Sequence, residues 1–230
     1  ATYGTVNSNG TGGIPADGTS TRRLSDRSGG GFHLLRAAGV APTNGGDALV
    51  IPVVPGIGAI NMQSTANAFA GSTQNFTMLW YGDTFGVPEG SYAALDNNSG
   101  ANFEFYGDVN AGLLRVYSNT AGIINTNIKQ ESVRGPIVVR GSATAFEVWC
   151  CGQYFTRAAL PVETLKDLNL GGGFQTKTRL YEWVVVKAAL TDVELTKLRT
   201  YADTIANRAT INTDVLLARG DPITAGAGSQ

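Results

Sequence analysis

Short apolar segments separated by glycines run through most of this chain, and they restrict its fold more than any other feature. Segments of this length with turn residues between them are typical of β-strands, whereas a helix needs a longer periodic run. The pattern therefore predicts an all-β protein, either a sandwich or a barrel. The segments lie at residues 49–54, 76–81, 102–106, 113–117, 136–140, 145–151 and 180–186.

The chain breaks this pattern once, near its C-terminal end. Residues 191–194, Thr-Asp-Val-Glu, have the spacing of a capping box, in which Thr191 and Glu194 each accept from the other's backbone N–H. Arg199 and Asp203 are spaced to form an ion pair one turn apart. We predict an amphipathic helix over about residues 192–209 that packs on a sheet or in a subunit interface. Its apolar stripe consists of Leu195, Leu198, Ala202, Ile205 and Ala209.

Composition divides the chain into three regions. Residues 1–47 are rich in Gly, Thr, Ser and Asn, and we expect them to form an N-terminal arm. Residues 48–210 contain the apolar segments and the helix, and a stretch of this length can bury its core as one domain. Residues 211–230 are expected to form a C-terminal tail.

Charge and composition narrow the classes of partner. The 230 residues carry a formal net charge of −1, and only 15% of them are charged, so solubility depends on uncharged polar side chains. We expect no nucleic-acid partner, because the sequence has no basic stripe. We expect no membrane partner, because no stretch approaches the roughly 20 apolar residues of a membrane helix.

The two cysteines, Cys150 and Cys151, are adjacent. Neighbouring residues on a strand point to opposite faces of the sheet, so a disulfide between these two would need strained geometry. We expect two free thiols, one of them buried.

Residues 170–194 carry a family resemblance. The segment LGGG at 170–173 precedes RLYEWVVV at 179–186 and KAALTDVE at 187–194. This order resembles the C-terminal signature of concanavalin A-like, laminin G-like domains, in which a glycine-rich turn, a strand and a capped helix follow one another. The chain departs from that signature at Thr178, where the family usually has glycine. Five positions match the family's strand and helix start: Leu180, Glu182, Leu190, Thr191 and Glu194.

Two upstream segments extend the resemblance to about residues 49–209. FTMLWY at 76–81 is similar to an early strand of the family, and FEVWCCGQY at 146–154 is similar to a central strand with its hairpin glycine. The resemblance implies a two-sheet antiparallel jelly-roll sandwich with one C-terminal amphipathic helix. It also implies ligand binding by loops or a concave face, usually of carbohydrate or protein and sometimes through calcium. Members of the family include secreted proteins and phage tail and fibre proteins.

Residue types suited to catalysis are isolated in the sequence. Cleavage of a sugar chain needs two carboxylates across the bond, but Glu104, Glu147 and Glu182 each stand alone on a predicted strand. We interpret them as solvent-facing or hydrogen-bonded structural residues. His33 is the only histidine, and no Gly-x-Ser-x-Gly elbow accompanies it. These observations predict that the chain is not an enzyme.

Ligand-binding candidates lie in and beside the predicted loops. Oxygen-rich loops can hold calcium, although Asp and Asn are also ordinary turn formers, so calcium stays an alternative to binding without a cofactor. Aromatic rings near these loops could stack on a sugar ring, and among them Trp80 and Trp149 are better explained as core residues. The predicted ligand-binding residues are Tyr81, Asp83, Asn97, Asn98, Tyr106 and Asp108.

Two functions from different classes fit these features. The first is a virion structural or adhesion protein, such as a phage head decoration, tail or fibre component with a lectin-like domain. We then expect location on the virion surface, a homo-oligomeric state, and other virion subunits and a host surface glycan as partners. The alternative is a free, extracellular carbohydrate-binding lectin, with or without calcium.

Overall fold

The computed structural model describes the chain in several stretches. These are residues 4–5, 18–25, 33–36, 42–44, 49–51, 62–64, 71–85, 90–96, 101–108, 113–129, 135–150, 152–165, 167–172 and 177–218. Within them the backbone forms eighteen short or medium β-strands and one α-helix. The strands are β1 (Gly4–Thr5), β2 (Arg23–Leu24), β3 (Leu34–Arg36), β4 (Thr43–Asn44), β5 (Leu49–Ile51), β6 (Met62–Ser64), β7 (Gly71–Thr73), β8 (Phe76–Phe85), β9 (Gly90–Asp96), β10 (Ala101–Asp108), β11 (Leu113–Ser118), β12 (Gly122–Lys129), β13 (Gly135–Gly141), β14 (Ala145–Cys150), β15 (Gln153–Ala158), β16 (Glu163–Leu165), β17 (Asp167–Gly172) and β18 (Lys177–Val186), and the helix is α1 (Asp192–Ala218).

These strands form two large antiparallel sheets and one small one. The nine-stranded sheet has the order β1-β2-β3-β6-β17-β9-β10-β11-β12, and the seven-stranded sheet has the order β15-β14-β13-β8-β18-β5-β4. The small sheet pairs β16 with β7. The predicted all-β class and the jelly-roll sandwich with a C-terminal helix are confirmed.

The main core lies between the two large sheets. Inward-facing side chains alternate along each strand, so β11 and β12 contribute every second residue to this layer. The nine-stranded sheet supplies Leu34, Met62, Leu114, Val116, Ile124 and Ile128, and the seven-stranded sheet supplies Leu49, Phe76, Met78, Trp80, Ile137, Val139, Phe146, Val148, Cys150 and Leu180.

The seven-stranded sheet is buried on both faces at its centre. All six residues from Phe76 to Tyr81 in β8 are buried, which explains why this segment is almost uninterruptedly apolar in sequence. Its odd-numbered side chains Leu79 and Tyr81 face away from the other sheet, towards α1. On that outer face they join Val138, Leu195, Ala202 and Ile205 in a second core.

A β-bulge interrupts the pairing of β18 with β8. Leu180 pairs with Gly82, but Glu182 pairs with the next residue of β8, Tyr81, so one extra residue is accommodated between them. Leu180 lies in the inter-sheet core, while Tyr181 packs in the second core under α1. The glycine at position 82 is required sterically, because a Cβ there would overlap the carbonyl oxygen of Arg179 and the indole ring of Trp80.

The start of α1 has the predicted capping box. The carboxylate of Glu194 accepts from the backbone N–H of Thr191 at 2.9 Å and from its hydroxyl at 2.8 Å. Because the backbone and side chain of Thr191 both donate to it, the pKa of Glu194 is held below its ordinary value. Thr77 fixes the preceding turn to β8, since its hydroxyl donates to the carbonyl of Ala188 and accepts from the N–H of Leu190.

The helix and the N-terminal region differ from their predicted boundaries. α1 runs to Ala218 instead of ending near residue 209, because residues 206–218 contain no glycine or proline to stop it. The described parts of the predicted arm, residues 1–47, form β1 to β4 and pair within both large sheets. Strands of two or three residues are too short to show an alternating pattern, so they could not be predicted from the sequence.

Two further expectations bear on chemistry and location. Cys150 is buried and has a free thiol, as expected for one of the pair, while Cys151 lies outside the described residues. Within the stretches that the structure describes, no helix combines the length and apolar composition needed to cross a membrane.

The packing of α1 on the seven-stranded sheet can be tested with two substitutions on the same helix. Leu195 is 4% exposed, and Leu195→Ala should lower the free energy of unfolding by about 2–5 kcal/mol, because it leaves a cavity in the second core. Val193 is 67% exposed, and Val193→Ala should change that free energy by less than about 0.5 kcal/mol. Urea denaturation measures both, and equal effects would show that α1 is not packed as described.

Candidate functional site

The hairpin of β14 and β15 places two aromatic side chains opposite each other. Cys150 pairs with Gln153, and Gly152 in the connection has a φ of 76°, which favours glycine. The register then pairs Trp149 with Tyr154. Both lie on the outer face of the seven-stranded sheet, the face that also carries α1.

The two rings form a close, partly exposed pair. The ring centroids of Trp149 and Tyr154 are 5.0 Å apart, with an interplanar angle of 33°. Trp149 is half-buried against the second core, whereas Tyr154 is 53% exposed. Tyr154 therefore presents apolar ring surface to solvent on a strand at the edge of its sheet.

Glu147 holds the hydroxyl end of Tyr154. The Tyr154 hydroxyl donates to Oε1 of Glu147 at 3.0 Å, while Nε of Arg140 donates to Oε2 of the same carboxylate. Arg140 and Glu147 are direct partners across β13 and β14. Glu147 is buried, and an ion pair with two hydrogen bonds is what a buried carboxylate requires.

Arg140 connects this carboxylate to the beginning of α1. Its Nη1 donates to the carbonyl of Leu190 at 2.9 Å and to Oδ1 of Asp192 at 2.7 Å. The hydrogen bond to Glu147 is the largest of several effects that raise the pKa of Arg140 above its ordinary value. The aromatic pair is thus tied to the helix by one continuous polar network.

Arg199 completes the group from the helix side. Its guanidinium carbon lies 5.1 Å from the centroid of the Trp149 ring, and that of Arg140 lies 6.0 Å away. Both distances are within the range of a cation–π contact. The predicted ion pair between Arg199 and Asp203 is wrong for this structure, because Arg199 instead lies over the indole ring.

We call these five residues the Trp149 cluster: Arg140, Glu147, Trp149, Tyr154 and Arg199. It combines an exposed aromatic face, guanidinium donors and a carboxylate acceptor. Aromatic faces bind apolar ring surfaces, and guanidinium and carboxylate groups bind hydroxyls and charged groups. Side-chain hydrogen bonds hold Arg140, Glu147 and Tyr154, and Trp149 packs against the second core. Most of the cluster is therefore rigid before any ligand arrives.

The structure places the described members of the predicted ligand-binding set in two different strands, β8 and β10. Tyr81 is 2% exposed and packs beneath α1, 5.1 Å from the ring of Tyr181, so it is a core residue and has no ring face for a ligand. Asp83 lies in β8 of the seven-stranded sheet, opposite Arg179. Tyr106 and Asp108 lie in β10 of the nine-stranded sheet. Asn97 and Asn98 lie outside the described residues.

The isolated acids match their interpretation as hydrogen-bonded structural residues at two positions. Glu147 binds Arg140 and Tyr154, and the carboxylate oxygens of Glu182 accept from the Tyr201 hydroxyl at 2.6 and 2.7 Å. No group of three or more His, Cys, Asp or Glu side chains suited to a metal occurs among the residues that the structure describes. These residues therefore give calcium no identified ligand set.

Sequence reasoning missed Tyr154, Arg140 and Arg199 as site residues. One signal for Tyr154 was present in the sequence. If Gly152 lies in a two-residue hairpin connection, the register of the two strands places Trp149 opposite Tyr154. No comparable signal existed for Arg199. Its position over Trp149 depends on how the helix lies across the sheet, which amphipathic periodicity does not specify.

Comparisons with known proteins agree on the fold. No protein-family model and no curated protein matches the chain. Among solved structures, the binding domain of botulinum neurotoxin serotype G is 10% identical with a TM-score of 0.55, covering 76% of this chain and 47% of its own. The exoplasmic/lumenal domain of VIP36, in a Ca²⁺-bound form, is 7% identical with a TM-score of 0.44, covering 66% and 83%. Trypanosoma rangeli sialidase is 15% identical with a TM-score of 0.46, covering 84% and 34%.

The likeness to the neurotoxin binding domain, with its TM-score of 0.55, shows a shared fold. The neighbours also correct one prediction. The chain was predicted not to be an enzyme, yet a sialidase is among the structures that it resembles. Because enzymes also occur among these neighbours, the prediction is withdrawn. The missing sequence motifs gave no sufficient ground for it, since active sites are defined by residues that meet in space and not by their order in the chain.

The hydrogen bond that fixes Tyr154 can be tested with a matched pair of variants. Tyr154→Phe removes the donor to Glu147 and should lower the free energy of unfolding by about 1 kcal/mol, because the buried carboxylate loses a partner. Tyr117→Phe removes only an exposed contact of 3.4 Å to Asn119 and should change that free energy by less than about 0.5 kcal/mol. Urea denaturation of the two variants distinguishes them. A Tyr154→Phe variant as stable as the wild type would contradict the proposed network.

Proposed function

We propose that the chain is a carbohydrate-recognition module that binds a sugar at the Trp149 cluster. The observation that carries this proposal is the exposed ring of Tyr154, which Trp149 and Glu147 hold in one orientation. The C–H face of a sugar ring packs well on such an aromatic face. Because the ring is already fixed, binding costs little additional side-chain entropy.

Polar groups for the sugar hydroxyls surround this ring. Arg199 presents guanidinium donors beside Trp149, and the Tyr154 hydroxyl, which donates to Glu147, keeps lone pairs that can accept. An aromatic face bordered by charged hydrogen-bonding groups suits a ligand that is apolar on one side and hydroxylated at its edges. Calcium-assisted binding is the alternative mode, and the residues that the structure describes give it no ligand set.

Binding can be tested on a glycan array, with and without a chelator. We expect wild-type protein to bind at least one class of glycan, and Tyr154→Ala to reduce that binding about tenfold or more, as expected for loss of an aromatic hot spot. Tyr117→Ala, a matched change on the nine-stranded sheet, should leave it unchanged. Absence of binding in both buffers, or equal loss in both variants, would contradict the proposal. If the wild-type protein lost glycan binding only in the chelator buffer, calcium would have a role in binding.

We further propose that this module works on a virion surface, as a decoration, tail or fibre component. The low charge of the chain supports this location, since only 15% of its residues are charged. Exposed positions such as Asn125, Asn127 and Thr156 are polar but neutral. Such a surface suits dense packing beside other copies and other virion subunits, with a host glycan as the outer partner. A free extracellular lectin is the alternative location for the same binding activity.

Mass spectrometry of purified virus particles from the source tests this location. We expect the chain in stoichiometric amounts within intact particles, and a homo-oligomer by light scattering of the purified protein. A monomer that is absent from every particle fraction would contradict the virion role and leave the extracellular alternative.

A further inference from the structure

The two guanidinium groups of the Trp149 cluster differ in their charge compensation. Arg140 is paired with Glu147 and Asp192, so its charge is neutralised within the protein. Arg199 has no carboxylate within ion-pair distance among the residues that the structure describes, and its described contact is the face of Trp149. Its side chain belongs to an exposed helix position. The cluster therefore contains one cation, Arg199, with no direct ion pair to a described carboxylate.

The arrangement also limits where a counter-charge could bind. The guanidinium of Arg199 lies over the indole ring, and its N–H donors lie in the plane of the guanidinium group. These donors can form a bidentate contact with a planar anion at the edge of the aromatic pair. Glu147 and Asp192 both bind Arg140. Two carboxylates and one guanidinium carry a net charge of −1, so attraction of an anion depends on its direct contact with Arg199.

We infer that the sugar recognised at the Trp149 cluster carries an anionic group, a carboxylate or a sulfate, and that Arg199 binds it. This inference rests on the proposed carbohydrate binding and names the ligand class of the same site. The sugar ring stacks on Tyr154, and its acidic substituent pairs with Arg199 beside Trp149. Arg140 acts as a positioning residue, since its hydrogen bonds fix Glu147 and the start of α1.

Ligands that differ only in charge test the acidic group. We would titrate the full chain by calorimetry with a galacturonic acid oligosaccharide, with its fully methyl-esterified form, and with neutral and sulfated dextran fragments. A charge-assisted contact predicts that the acid binds about 10–100-fold more tightly than its ester. It also predicts that this preference weakens as salt is raised. Preference for the sulfated dextran alone would assign the anion as sulfate.

Variants of the exposed helix positions test the role of Arg199. Arg199→Ala should remove the preference for the acid over the ester, and Arg199→Lys should restore part of it, because lysine keeps the charge but loses the planar fork. Lys197→Ala, an exposed cation two residues earlier, should leave the preference unchanged. Circular dichroism would confirm that each variant keeps its fold.

The possible outcomes separate this inference from the proposed function. The acidic-ligand inference alone would be overturned if the wild type bound acid and ester equally and also bound neutral and sulfated dextran equally. An unchanged preference for the anionic probe in Arg199→Ala would overturn it as well. Binding of neutral sugars that depends on Tyr154 but not on Arg199 would also overturn the acidic-ligand inference. It would still support the proposed carbohydrate recognition. No binding of any probe by the wild type, whether charged or neutral, would overturn both.

Discussion

Burial of the seven-stranded sheet on both of its faces is the constraint on which the rest of this structure depends. One face packs against the nine-stranded sheet, and the other is covered by α1 through Leu195, Ala202 and Ile205. On the outer face Leu79 and Val138 are apolar and buried in the second core, and leaving such area exposed would be unfavourable. The helix is therefore a third layer of the fold. Polar contacts set its position, because Thr77 fixes the turn before it and Arg140 fixes its first residue.

The candidate site is a consequence of this layering. The sheet supplies Trp149, Tyr154 and Glu147, while the helix supplies Arg199, and neither layer contains the complete cluster. The buried Arg140–Glu147 pair is weak support for stability, since desolvation offsets much of its attraction. Its clearer effect is orientation: the pair holds Tyr154 on one side and the helix start on the other. The same contacts that hold the helix start on the sheet therefore also orient the side chains proposed to bind the ligand.

The sequence predicted those parts of the structure that local chemistry determines. The capping box at Thr191 and Glu194, the apolar stripe of the helix and the central strands follow from spacing alone. The strands before residue 48 did not, because segments such as Arg23–Leu24 are too short to show alternation. Tyr81 was misjudged for a different reason. Its strand is buried on both faces. In a strand buried on one face only, the same tyrosine would be exposed. Arg199 depends on the crossing of helix and sheet, which only the tertiary structure provides.

Hydrogen exchange followed by mass spectrometry tests the central claim, that α1 is a packed layer of the sandwich and part of its site. The account predicts that peptides covering residues 76–81, 137–139 and 192–205 exchange slowly and together, because they open as one cooperative unit. It also predicts slow exchange at residues 147–149, beside Arg199. Rapid exchange of residues 192–205 while the strands stay protected would contradict it. That result would mean that the helix leaves the sheet in solution, and that the Trp149 cluster is not assembled before ligand binds.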